Sequence, residues 1–251
     1  MGAKKNMKLR KTALIVGALA MAAMVQTAQA NLASLISTDG SLTTGDGQFT
    51  FSDFSLSGNG GVIAQADNFN VSTINIGGID YLSFSGSTIG LINSAGSVDL
   101  SLFYTVTANN GSKISMIDQR YTPDVNNFAG AGDQIIVGET VSDLGGVTTA
   151  NSTLTLQPLD LSDPTAETGD NLVLGTAISP GHPPVPQIVA LVEKDFTFTS
   201  GSSSDTVGLS ILRQSFHAVP VPEASTMIAG ALLLLPLGVS TLRILRRNRI
   251  A

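Results

Sequence analysis

Residues 98–106 read VDLSLFYTV. In an extended chain, successive side chains point to opposite faces, so Val98, Leu100, Leu102, Tyr104 and Val106 share one side. That period of two predicts a strand with one buried face, and it places Tyr104 in the core. Asp99, Ser101 and Thr105 share the other face with Phe103, so that face is not wholly wet.

The same pattern spreads outward. Phe49 and Phe51 share one parity, and Phe54 and Leu56 share the other. A bulge near Asp53 reconciles them, because one extra residue flips the faces. The run 69–76 passes through Gly77-Gly78 into 79–84, and Gly-Gly suits the positive φ angles of a tight hairpin. Shorter strands are predicted over 114–117, 134–141, 152–156, 172–174, 188–192, 196–198 and 207–212. Gly, Ser, Thr, Asn and Asp punctuate these runs, and no amphipathic helix stands out between residues 31 and 218. About ten short strands with frequent turns predict one all-β domain over 31–218, a β-sandwich or jelly-roll-like pair of sheets. A β-solenoid is the alternative, but no period of about 20–30 residues recurs.

Charge is unevenly spread along the 251 residues. The net charge of -6 hides two basic ends and an acidic middle. Residues 31–225 hold all 19 acids against Lys113, Arg120, Lys194 and Arg213. Such a body repels nucleic-acid phosphates, which argues against a nucleic-acid partner. The chain has no cysteine, so neither a disulfide framework nor a thiolate metal site is open to it.

Residues 1–30 read as a signal peptide. Lys4, Lys5, Lys8, Arg10 and Lys11 precede the apolar run 12–25, and Ala28-Gln29-Ala30 supplies a small-x-small site. Cleavage by signal peptidase is expected after Ala30, which makes Asn31 the new N-terminus. At the other end, residues 227–242 are almost free of polar groups. At 1.5 Å per residue they cover about 24 Å, a little short of a bilayer core, and long flanking side chains can make up the difference. This predicts a transmembrane helix over 227–242. The basic tail 243–251, with Arg243, Arg246, Arg247 and Arg249, keeps the C-terminus cytoplasmic by the positive-inside rule. Residues 219–226 form the linker between body and span.

That linker contains Val221-Pro222-Glu223-Ala224-Ser225-Thr226. A Pro-Glu motif, one short span and a basic tail, in that order at the end of the chain, resemble the PEP-CTERM sorting signal. The third motif position, usually proline, is Ala224 here. The resemblance covers the last 31 or so residues and speaks of sorting alone. It implies export by a Gram-negative bacterium through an inner-membrane intermediate to the cell surface or extracellular matrix. It implies processing at the motif by exosortase, a membrane protease-transpeptidase, and an association with exopolysaccharide.

The middle shows little catalytic patterning. His182 lies in the proline-dense stretch 179–186, and His217 just precedes the linker; both read as exposed loop residues. No G-x-S-x-G elbow is present. Asp160, Asp163, Glu167 and Asp170 are the one clustered acidic set. They match no EF-hand spacing and read as a solvated loop, with calcium the cofactor whose hard-oxygen preference they would suit. Tyr121 is the candidate aromatic for stacking on a sugar, in a chain without tryptophan. The expected function is structural or adhesive, in the cell envelope or biofilm matrix and without catalysis. A secreted glycan-acting enzyme is the alternative.

Overall fold

The structure is a computed structural model that describes residues 28–58, 67, 69–92, 95–123, 132–156, 169–174, 185–204 and 206–221. In chain order its elements are β1 (Gln29–Asn31), α1 (Leu32–Ser37), β2 (Leu42–Thr43), β3 (Phe49–Gly58) and β4 (Phe69–Ile76). There follow β5 (Ile79–Ile92), β6 (Gly96–Ala108), β7 (Ser112–Pro123), β8 (Gln134–Ser142) and β9 (Thr148–Leu156). The chain continues through β10 (Gly169–Val173), β11 (Val189–Ser200) and β12 (Thr206–Pro220).

The strands form two six-stranded sheets. The first runs β1-β4-β5-β12-β7-β10 and the second β2-β3-β6-β11-β8-β9. All strand pairs are antiparallel. The fold is therefore all-β, with the two sheets facing each other across one hydrophobic core, as in a β-sandwich. Aromatic rings join the layers. Phe216 of the first sheet lies 4.9 Å from Phe51 and 5.7 Å from Phe49 of the second, between ring centroids. Phe84 sits 6.1 Å from Tyr104 and 6.5 Å from Phe54 in the same way. Tilted ring pairs at these distances stabilise by about 1 kcal/mol beyond their area.

Periodicity placed these side chains correctly. Leu100, Leu102, Tyr104 and Val106 are all buried. The bulge lies where the parity flips: Ser52 pairs with Thr105 and Ser55 with Phe103, while Asp53 turns to a positive φ of 55°. Gly77 and Gly78, at φ 63° and 87°, make the hairpin between β4 and β5.

Several elements differ from expectation: β5 runs on to Ile92 where 79–84 was predicted, and β7 spans Ser112–Pro123 where 114–117 was predicted. The predicted strands 188–192 and 196–198 are one strand, β11, which runs through Glu193-Lys194-Asp195. A short helix, α1, caps one end of the sandwich. Its N-cap is Asn31, whose Oδ1 accepts from the Ser34 amide at 3.2 Å, and its buried residues are Leu32 and Leu35. At six residues it is too short to print a helical period in the sequence. Finally, β12 carries on past residue 218 to Pro220, and the Val221 amide donates to the Gly111 carbonyl at 3.0 Å.

At the N-terminal side, Ala28 and Ala30 pack against the core, and Ala30 pairs with Val71. The bond after Ala30 thus lies within β1. Residues 1–27 and 222–251 lie outside the described residues, and with them the apolar run 12–25, Pro222 to Thr226, the span 227–242 and the arginine tail. Among the described residues no helix is long and apolar enough to cross a membrane.

Candidate functional site

The outer face of the second sheet takes its chemistry from strand register. Across β6 and β11, Asp99 stands opposite Thr197, Ser101 opposite Asp195, Phe103 opposite Glu193 and Thr105 opposite Leu191. On the far side of β11, Glu193 meets Thr140 and Leu191 meets Ser142. Side-chain bonds brace this face: Thr197 Oγ1 donates to Asp99 Oδ1 at 2.8 Å, and Ser101 Oγ donates to Asp195 Oδ1. The bulge brings in Asp53, whose Oδ2 accepts from Ser52 Oγ at 2.9 Å. Bulges re-aim side chains in this way, and here Phe54 turns inward while Asp53 turns to the rim.

Beside them, Asp53, Phe103, Thr105, Thr140, Leu191 and Glu193 line an open cleft of about 310 Å³. Phe103 and Leu191 supply its apolar surface, Asp53 and Glu193 its carboxylates, and Thr105 and Thr140 its hydroxyls. The Glu193 carboxyl is held above the ordinary carboxylate range, first by partial burial and then by the neighbouring Asp195. The six strands contain one basic side chain, Lys194, and it is fully buried. The face therefore carries negative potential with nothing on its own strands to balance it.

Behind this face, inside the sandwich, lies a polar cluster that the sequence reading left unassembled. Lys194 of β11 and Glu139 of β8 form an ion pair with Nζ to Oε1 at 3.1 Å, both side chains fully buried. Lys194 Nζ also donates to Gln119 Oε1 of β7 at 2.7 Å. Gln119 Nε2 donates to Ser152 Oγ at 2.8 Å. Gln214 Nε2 of β12 donates to Glu139 Oε1 at 2.6 Å, and Tyr104 Oη donates to Gln214 Oε1 at 3.0 Å. Burial, and then the Glu139 carboxylate, push the Tyr104 phenol well above its ordinary range, which keeps it a donor.

His217 is not a loop residue. It sits on β12 opposite Met116, and its Nε2 lies 2.7 Å from Asp118 Oδ2. Ser215 Oγ donates to the same carboxylate oxygen at 3.0 Å and is 3.5 Å from His217 Nε2. These are the residue types of a hydrolytic triad in the wrong order. A triad needs the serine on one ring nitrogen and the carboxylate on the other, whereas here one nitrogen faces both.

Asp160, Asp163, Glu167 and His182 lie outside the described residues. Asp170 falls on β10, its backbone opposite Gln119, and Tyr121 falls on β7, its backbone opposite Leu212. Among the described residues no three His, Cys, Asp or Glu side chains gather as a metal site.

No family model matches the chain, and no curated protein matches it. Among solved structures it is similar to an arabinose-bound GH51 α-L-arabinofuranosidase, at 13% identity and a TM-score of 0.26 over 65% of this chain and 23% of that one. It is also similar to a carbohydrate-binding module specific for non-crystalline cellulose, CBM28, at 10% identity and a TM-score of 0.30, over 60% of this chain and 82% of that one. A third likeness is to a family 11 carbohydrate-binding module from Clostridium thermocellum, at 10% identity and a TM-score of 0.23, over 67% and 89% of the two chains. The chain thus spans under a quarter of the arabinofuranosidase, and at these scores the likenesses assign it neither ligand nor reaction.

Proposed function

We propose that this is an exported surface or matrix protein whose second sheet binds a polysaccharide on its outer face. The observation that carries the reading is the cleft around Phe103. A sugar ring offers C–H faces and a rim of hydroxyls, and the cleft offers Phe103 and Leu191 beside carboxylates and hydroxyls. Apolar surface with a few placed polar groups is the general form of a small-ligand site. The negative face selects an uncharged or amino-bearing glycan over an anionic one.

Export rests on the residues of the two ends. The basic start, the Ala28-x-Ala30 site, the Val221–Thr226 motif, the apolar run 227–242 and the arginines after it support sorting through a PEP-CTERM-like signal. Signal peptidase and an exosortase-like enzyme are the processing partners of that reading, with the inner membrane as intermediate. Terminal mass spectrometry on protein from the native cell surface tests it. Ends at Asn31 and near Glu223 are expected, and an intact chain from Met1 to Ala251 would refute it. For binding, co-sedimentation with isolated neutral matrix polysaccharide is the test. Retention of the wild-type chain is expected, and equal retention of Phe103→Ala would refute the site.

A second reading, a glycan-acting enzyme, draws on Glu193. A carboxyl raised above its usual range beside an open cleft is the environment of a general acid, with Asp53 on the same cleft as its counterpart. Release of reducing ends from a neutral glycan, abolished in Glu193→Gln, would favour this reading over passive binding.

A further inference from the structure

We propose that Lys194 and Gln119 join in an intramolecular isopeptide bond, formed inside the folded sandwich with Glu139 as the proton carrier. The three side chains come from three strands and meet in a site closed to water. Lys194 is fully buried, and Glu139 and Gln119 are each 1% exposed.

The geometry sets up an acyl transfer. Lys194 Nζ lies 2.7 Å from Gln119 Oε1. The carbonyl bond is about 1.23 Å long, so Nζ is no more than about 3.9 Å from the carboxamide carbon. Reacting atoms in a near-attack arrangement stand about 3–3.5 Å apart, a small sliding motion away. On the far side, Gln119 Nε2 is tied to Ser152 Oγ at 2.8 Å, which fixes the plane of the amide.

Glu139 supplies what the amine lacks. An ammonium has no lone pair with which to attack. In a dry core, an ammonium and carboxylate in contact can exchange the proton and become amine and carboxylic acid, because separated charge is costly there. Glu139 Oε1, 3.1 Å from Nζ, is placed to take that proton. The Gln214 amide donates to the same oxygen at 2.6 Å and is held in turn by Tyr104, so the carboxylate cannot rotate freely.

The step balances. The neutral Nζ lone pair forms a bond to the Gln119 carboxamide carbon, and the carbonyl π pair moves to Oε1. A proton then leaves the attacking nitrogen and another reaches Nε2, both by way of the Glu139 carboxyl. The C–Nε2 bond breaks, the carbonyl re-forms and ammonia departs. It takes up the proton left on Glu139 and goes as ammonium. No oxidant, metal or external reagent enters. The product is a secondary amide between β7 of the first sheet and β11 of the second. It would bolt the two layers together in a chain that has no cysteine for the purpose.

Peptide mapping of the full chain tests this directly. Trypsin on the unfolded protein should yield Ile114–Arg120 joined through Gln119 to a segment uncut after Lys194, with a mass lower than the two peptides by one ammonia. Lys194→Arg should release Ile114–Arg120 as a free peptide. Glu139→Gln should do the same while keeping a β-rich circular dichroism spectrum. Free Ile114–Arg120 at full yield from the natural protein, with normal cleavage after Lys194, would overturn the proposal. So would a bond that forms to completion in folded Glu139→Gln.

Discussion

Single residues decide much of this molecule, and Lys194 decides most. A buried pair is costly to break from one side, because the partner is left charged in the core. Lys194→Met should therefore destabilise by about 3–5 kcal/mol from the ion pair alone, with any cross-link lost in addition. A lowered urea midpoint would check it. Asp80 makes the opposite contribution. It is 2% exposed, and burial raises its carboxyl above 3.8, opposed by a bond from Asn75 at 2.8 Å and reinforced by nearby Asp46. A raised acid binds more protons in the folded state, so its stabilising effect is full below 3.8 and is lost as pH rises through the folded value. Stability should thus fall as pH climbs out of that window. Asp80→Asn should flatten the fall and raise the melting temperature at neutral pH. An unchanged pH profile would contradict the assignment.

Elements were legible where their side chains alternate, and they blurred where charge interrupted the alternation. The second sheet's β6 and the β3 bulge follow from parity alone. The same parity could have rescued β11. Lys194 shares a face with Val192 and Phe196, and Glu139 with Val137 and Val141, so two opposite charges stood at inward positions. Gln119 beside Ile117 and Gln214 beside Leu212 and Phe216 repeat the pattern. The predicted strand 134–141 already runs through Glu139, whereas the predicted strands stop short of Gln119, Lys194 and Gln214; what joins the four is pairing across sheets, which is not written in local sequence. The outer-face cleft was half legible. Phe103 was placed on the polar face, but the partners that make a site of it, Leu191 and Glu193, come from a strand some ninety residues on, and only register aligns them. The pairing of β5 with β12 has its own single point of failure. Gly90 pairs with Gly208 at φ 148°, and a Cβ there would lie 2.2 Å from the Val207 carbonyl oxygen. Backbone cannot yield as a side-chain tip can, so Gly90→Ala should cost about 3 kcal/mol or more, read from chemical denaturation. A neutral result would mean that these strands are not in this register.

At the scale of the whole molecule, two sheets divide the labour. Their inner faces hold a core of phenylalanine and aliphatic residues around the buried polar cluster of Lys194 and Glu139. The outer face of the second sheet is left acidic, hydroxyl-rich and, around Phe103, apolar. Such a surface contributes little to folding, so its chemistry is free to serve a ligand. The proposed surface or matrix role would need both halves: a body that endures outside the cell and a face that holds glycan. The most direct test of that account is calorimetric titration of the full chain with a neutral matrix polysaccharide, in parallel with Phe103→Ala. Saturable binding by the wild type, weakened at least about tenfold in Phe103→Ala with the melting temperature little changed, is the predicted result. Equal binding by both chains, or none by either, would contradict it.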